Sequence, residues 1–209
     1  MWNFLFPLSC VGCGEHSSTL CTKCLSTIPL SSLPVDKNIY PVFDYKNPII
    51  KKALWELKFK NNKAIAEPLA TALYDKILEE MPELEIFHHF ENPLLIPLPL
   101  SQKRGKERGY NQSELLCKEL SLIDTTSFKL CTDALYKSFD TKQQTKTRSR
   151  LERKNNLCGC FAVKNQEKIK GRNIILIDDI VTTGATIHEA QKTLTQSGAR
   201  KIIAFTVAH

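Results

Sequence analysis

The sequence predicts an α/β protein: a mainly parallel sheet with flanking helices, carrying a small cysteine-rich subdomain at its N-terminus. Three observations predict it. From residue 39 onward, short aliphatic runs alternate with stretches of helical apolar period, the pattern of parallel strands joined by crossover helices. One run, Ile174-Ile175-Leu176-Ile177, is apolar on both faces, as a strand inside a parallel sheet must be. Four of the eight cysteines fall within the first 24 residues. The expected division is a cysteine-rich subdomain over 1–38 and an α/β domain over 39–209.

Composition bounds the answer. The 209 residues suit one full domain with a small appendage. Apolar residues make up 42% and charged residues 24%, which excludes a wholly disordered chain. No apolar run reaches the ~20 residues that a membrane-spanning helix needs. The opening Met1 to Leu8 is apolar but short and has no basic leader, so a cleaved signal peptide is not expected. The formal net charge is +7, which favours anionic partners: phosphates, nucleic acid or an acidic membrane surface. The charge is segregated. Glu79, Glu80, Glu83, Glu85 and Glu91 crowd one stretch, whereas residues 137–154 are strongly basic.

The N-terminal cysteines read Cys10-Val11-Gly12-Cys13 and Cys21-Thr22-Lys23-Cys24. Two such knuckles suit one structural, tetrahedral Zn²⁺ with four thiolates; a disulfide pair or a redox site are the alternatives. The closed set leaves no open position for catalysis. His16 is a potential substitute ligand. Cys117, Cys131, Cys158 and Cys160 are read as small hydrophobes or incidental thiols.

The elements follow in order. Residues 26–48 form a Ser/Pro-rich connector with an extended segment near 39–45. Apolar spacing predicts helices over 49–59 and 63–81, with Pro68 in the early turns of the second. Leu94-Leu95-Ile96 is a short buried strand ended by Pro97 and Pro99. Asn111-Gln112-Ser113-Glu114 resembles a capping box that opens a helix over 112–120. Residues 134–137 and 161–163 are weaker strands, and 173–177 is a strong one. Thr186-Ile187-His188-Glu189 is a second capping-box pattern, and Gly198 ends its helix. Residues 201–207 form the last strand.

The chemistry concentrates after the 173–177 strand. Asp178 and Asp179 follow its aliphatics, and Thr182-Thr183-Gly184-Ala185-Thr186 turns into the next helix. Ligands of open α/β sheets bind beyond the strand carboxyl ends. The turn offers backbone N–H groups and hydroxyls at a helix N-terminus, a cradle for phosphate. The two acids would repel phosphate, but they suit the vicinal hydroxyls of a sugar. Together these describe a site for a ribose 5-phosphate. The bland alternative is an acidic strand-to-helix loop with no ligand. No Ser-His-Asp or Cys-His arrangement is evident, and His88, His89 and His188 read as surface residues.

This segment resembles the phosphoribosyl pyrophosphate signature of type I phosphoribosyltransferases. Three further blocks narrow the resemblance: Ile96-Pro97-Leu98-Pro99-Leu100 with Arg104 and Glu107 to Leu116; Thr145 to Arg153 followed by Asn155 and Asn156; and the paired cysteine knuckles. In this order they resemble the ComF family of competence-associated, phosphoribosyltransferase-like proteins. One departure is Lys142-Gln143-Gln144-Thr145, which has a glutamine where the family often has proline.

The resemblance implies roles. Asp178 and Asp179 would hold the ribose hydroxyls and act at the catalytic position, and residues 182–186 would hold the 5-phosphate. Leu98, Pro99 and Leu100 would approach the pyrophosphate, with Arg104 and Arg108 as its cations. Lys146, Arg148 and Arg150 would belong to a closing flap. Mg²⁺ would be held by the ligand's oxygens rather than by a protein cage. A hood supplied by residues 1–60 would select any acceptor. The resemblance also implies a cytoplasmic role in natural transformation, with single-stranded DNA and a ComFA-type translocase as partners, and with peripheral contact at the inner membrane. The basic segments 103–108 and 137–154 fit a phosphate-backbone groove, and Tyr110, Tyr136 and Phe139 are candidate stacking rings, with core packing the favoured use of Tyr136 and Phe139. The alternative function is a housekeeping phosphoribosyltransferase acting on a small base or amine, without DNA. Acceptor, turnover and oligomeric state are not written in the motifs.

Overall fold

The computed structural model describes residues 9–16, 18–31, 34–138 and 159–209. The first elements are α1 (Thr22–Ser26), β1 (Ile39–Phe43) and α2 (Pro48–Phe59). Asn47 caps α2, accepting from the N–H groups of Ile49 and Ile50, and Pro48 at the first position gives up a donor that had no partner. A 3-10 turn over Lys63–Ile65 leads into α3 (Ala66–His88), which is longer than the predicted 63–81. Its apolar stripe runs on to the buried Leu84 and carries the helix through Pro82, so propensity yields to packing there.

The chain continues as β2 (Leu94–Pro97), α4 (Gln102–Arg108), α5 (Gln112–Ile123), β3 (Lys129–Leu130), β4 (Leu135–Lys137) and β5 (Phe161–Val163). It closes with β6 (Asn173–Ile180), α6 (Ala185–Gln196) and β7 (Lys201–Ala208). Five strands form a parallel sheet in the order β1-β7-β6-β2-β3, while β4 and β5 pair antiparallel as a separate ribbon. The mainly parallel expectation holds for the sheet, and the ribbon departs from it.

Two apolar cores flank the sheet. On one side Ile175, Ile177, Ile203 and Phe205 pack against α2, α3 and α5. On the other, Ile174, Leu176 and Ile202 meet Ile187, Ala190 and Leu194 of α6. Cys10, Val11, Leu20 and Ile28 of the cysteine-rich segment belong to the first of these cores rather than to one of their own. Among the described residues no helix is long and apolar enough to cross a membrane.

Three local expectations need correction. The strand predicted over 173–177 runs to Ile180, so both acids lie within it; pairing with β7 continues through Asp178↔Thr206 and Ile180↔Ala208. The capping box at Thr186 does not form: α6 starts two residues earlier than that box requires, at Ala185 with Gly184 as its N-cap. Tyr136 is 46% exposed rather than in the core, because the β4–β5 ribbon turns that ring outward.

Candidate functional site

The sheet reverses its winding between β2 and β6. The connection after β2 leads outward to β3, and the connection after β6 leads the other way to β7. Loops at such a reversal diverge and open a crevice at the strand carboxyl ends. Some of the residues singled out on sequence lie on the elements and loops at that carboxyl end. β6 supplies Asp178 and Asp179. The loop after β2 supplies the buried Leu98, whose N–H donates to Ile177 O at 2.8 Å, and the half-buried Pro99 and Leu100. Asn111 caps α5 by accepting from Ser113 N and also donates to Leu98 O at 3.0 Å, tying α5 to that loop. Glu114 pairs with Lys118 instead of closing a capping box.

A strand alternates its side chains, so the two acids meet different partners. Asp178 Oδ1 accepts from Ser113 Oγ at 3.0 Å and from the N–H of Asp179 at 2.9 Å. Burial pushes its carboxyl up to about 7, and the neighbouring Asp179 charge adds to the rise. Asp179 is buried on the α2 side and takes an ion pair from Lys58 Nζ at 2.9 Å. Sequence reasoning used positions 49–59 only as an apolar stripe and missed Lys58. Its sole signal was a lysine near the end of a helix otherwise facing the core.

After β6, Thr182 and Thr183 are exposed and Gly184 turns with φ +74°. Only glycine adopts that conformation without strain. A Cβ at Gly184 would meet His188 Cε1 at 3.1 Å and Ile39 Cδ1 at 3.3 Å, so the turn is also tightly fitted. Thr183 Oγ1 lies 3.5 Å from the N–H of Ala185, the first residue of α6, while Thr186 follows within its opening turn. The first N–H groups of a helix lack intrahelical acceptors, so the start of α6 suits an anion. His188 is exposed, as expected, and its Nε2 lies 2.9 Å from Asp36 Oδ2, linking α6 to the connector before β1.

Beside the crevice, α2 and α4 enclose a cleft of about 500 Å³ lined by Lys58, Phe59, Asn61, Arg104, Glu107, Arg108 and Tyr110. Arg108 donates to Gln112 Oε1 at 2.8 Å, and its guanidinium lies over the Phe59 ring. The Tyr110 hydroxyl donates to Leu57 O, fastening the α4–α5 turn to α2. Lys146, Arg148, Arg150, Phe139 and Cys158 lie outside the described residues. Cys117, Cys131 and Cys160 are buried, as their reading as small hydrophobes requires.

The cysteine cluster fits zinc. The Sγ atoms of Cys10, Cys13, Cys21 and Cys24 all lie within 4.8 Å of one another. The Cys10–Cys21 and Cys13–Cys21 sulfurs are 3.6 and 3.8 Å apart, against about 3.8 Å expected for thiolates 2.3 Å from a tetrahedral zinc. Burial works to raise the Cys10 thiol, but N–H groups of Cys21, Cys13 and Gly12 outweigh it and bring the thiol down to about 6. Contact with the Cys21 sulfur, and then burial, push Cys24 up to about 12. A divalent cation at the centre would relieve that repulsion among thiolates. A Cβ on Gly12 would sit 2.7 Å from Cys24 Sγ, so only glycine lets the knuckle close this tightly.

The parallel sheet and its crevice agree with a phosphoribosyltransferase-type domain, and the phosphoribosyl transferase domain family matches residues 118–209. Relatives extend the match to nearly the whole chain. DNA utilization protein YhgH of Shigella flexneri is 30% identical, over 92% of this chain and 80% of its own length. Competence protein F of Haemophilus influenzae is 28% identical over 94% and 82%. Competence protein ComFC of Bacillus subtilis is 34% identical over 79% of this chain, which spans 62% of that relative. The chain therefore belongs to the ComF family of competence and DNA-utilization proteins. Among solved structures, glutamine phosphoribosylpyrophosphate amidotransferase from Bacillus subtilis aligns over 74% of this chain and 30% of its own, with 11% identity and a TM-score of 0.45, too distant to inform the site.

Proposed function

We propose that this protein binds 5-phosphoribosyl pyrophosphate at the carboxyl end of β6 and serves in the handling of single-stranded DNA during natural transformation. The observation that carries the first half is the juxtaposition of Asp178 and Asp179 with the glycine-started α6 at the point where the sheet reverses its winding. The ribose hydroxyls donate to the two acids. The 5-phosphate accepts from the N–H groups and hydroxyls of residues 182–186. Arg104 and Arg108 neutralise the pyrophosphate, and Leu98 to Leu100 shape its approach. Lys146, Arg148 and Arg150 are assigned to the covering segment on sequence grounds. Mg²⁺ would arrive with the pyrophosphate and lower its charge. If an acceptor is supplied, the chain's task in transfer is to position the reactants, neutralise the departing charge and exclude water.

The second half rests on the names of the relatives, which are competence and DNA-utilization proteins, and on the basic surface at α4. A cytoplasmic site of action and a translocase partner belong to the same proposal, and the zinc cluster serves as a structural brace.

Differential scanning fluorimetry tests the ligand. Phosphoribosyl pyrophosphate with Mg²⁺ should raise the melting temperature by mass action. Asp178→Asn with Asp179→Asn should abolish the shift while zinc content is kept. A wild-type protein that shows no shift at saturating ligand refutes the assignment. A screen of bases and amines for pyrophosphate release then separates a transferase from a sensor.

A further inference from the structure

The cleft between α2 and α4 carries features that the phosphoribosyl reading does not use. Lys58, Phe59 and Tyr110 line it, and an exposed aromatic edge continues from Phe59 along α2. Phe59 is 61% exposed and Trp55, one helical turn earlier, is 47% exposed, with their rings 6.3 Å apart. Each ring carries a cation. Lys60 Nζ lies 5.2 Å from the Trp55 ring centre, and the Arg108 guanidinium lies 5.3 Å from that of Phe59. Lys63 Nζ lies 4.9 Å from the ring of Tyr110. Two exposed rings in step on one helix would ordinarily mark an apolar contact. Here an apolar partner would have to strip water from three cations and give them nothing in return.

We propose that this strip is a docking surface for single-stranded DNA, in which bases stack on Trp55, Phe59 and the Arg108 plane while Arg104 and Arg108 take the backbone phosphates. Flat rings interleaved with cations match a chain of flat bases joined by anions. A duplex keeps its base faces hidden and cannot use the rings. The same geometry makes the strip share cations with the phosphoribosyl site. Lys58 lines the cleft yet spends its charge on Asp179, and Arg104 and Arg108 are the cations assigned above to pyrophosphate. Bound phosphoribosyl pyrophosphate and bound DNA therefore compete, by the same factor in each direction. The strip deepens the DNA half of the proposed function, and the competition rests on its phosphoribosyl half.

The test uses the full chain and a labelled oligothymidylate, followed by fluorescence anisotropy. Trp55→Ala and Phe59→Ala should each weaken binding about tenfold, and Trp55→Phe and Phe59→Tyr should retain most of it. Both rings are exposed, so the melting temperature should hold. Saturating phosphoribosyl pyrophosphate with Mg²⁺ should raise the apparent oligonucleotide Kd about fivefold or more. Unchanged affinity in the Trp55→Ala, Phe59→Ala double variant overturns the strip. So does a duplex that binds as tightly as the single strand, or a loss confined to anionic lipid vesicles. A ligand that stabilises the protein but leaves the oligonucleotide Kd unmoved overturns the competition. Absence of any thermal shift overturns the phosphoribosyl reading and the competition with it, whereas the aromatic variants still decide the strip.

Discussion

Lys58 places its ammonium 2.9 Å from Asp179, so the second acid of the pair is already neutralised by a residue that reaches it from α2 across the top of the first core. Both side chains are largely buried, at 15% and 9% exposure, and a buried carboxylate stripped of its cation is costly. Lys58→Met should lower unfolding free energy by about 3 kcal/mol, measured by urea denaturation. Adding Asp179→Asn should restore most of that loss, because the orphaned charge is then gone. Equal and additive losses in the two single variants would show that the ion pair contributes nothing.

Asp178 answers to pH. Its carboxyl is pushed up to about 7 by burial and then by the Asp179 charge, against 3.8 for the free group. Between those values the folded protein keeps a proton that the unfolded chain has released. The stability held by this group is complete below the lower value and is lost as pH rises through the upper one. Asp178→Asn cannot lose that proton. Its melting temperature should therefore gain on wild type from about pH 5 to about pH 8. A difference that stays flat across that range would contradict the buried carboxyl. Binding of a ribose diol should also strengthen through neutrality, since the carboxylate is the better acceptor.

Gly184 holds φ +74° beside His188 and Ile39. Gly184→Ala pays the left-handed penalty, about 1–2 kcal/mol, and crowds both neighbours. The expected result is a lower melting temperature together with loss of the thermal shift by phosphoribosyl pyrophosphate. A variant that keeps the shift would remove the turn from the phosphate cradle.

The four-cysteine cluster should hold stoichiometric zinc, released by a strong chelator and by acid as the thiolates protonate. Because Cys10, Val11, Leu20 and Ile28 share a core with α2 and α3, metal loss should lower the melting temperature of the whole chain rather than free a separate module. Cys13→Ser, at the exposed ligand, should lower zinc affinity without unfolding the protein. Metal content and thermal scans made on the same samples decide both points.

The cysteine knuckles, the acid pair and the threonine–glycine turn were legible because each is a contiguous run whose chemistry is set by near neighbours. The aliphatic runs at 94–96, 173–177 and 201–207 likewise announced buried parallel strands, since only a strand covered on both faces tolerates such a run. The long helix through Pro82 was not legible: its persistence depends on what its stripe packs against. Nor was the start of α6 at Ala185, where the left-handed Gly184 took precedence over a capping pattern.

The local motifs thus specified which groups could bind metal, phosphate and sugar, because those abilities reside in residue types at short spacing. How those groups are charged was settled by folding. Ser113 meets Asp178 across 65 positions and Tyr110 meets Leu57 across 53, while Lys58 reaches Asp179 from another helix altogether. Burial and through-space charge set the protonation of Asp178, and no spacing along the chain encodes either.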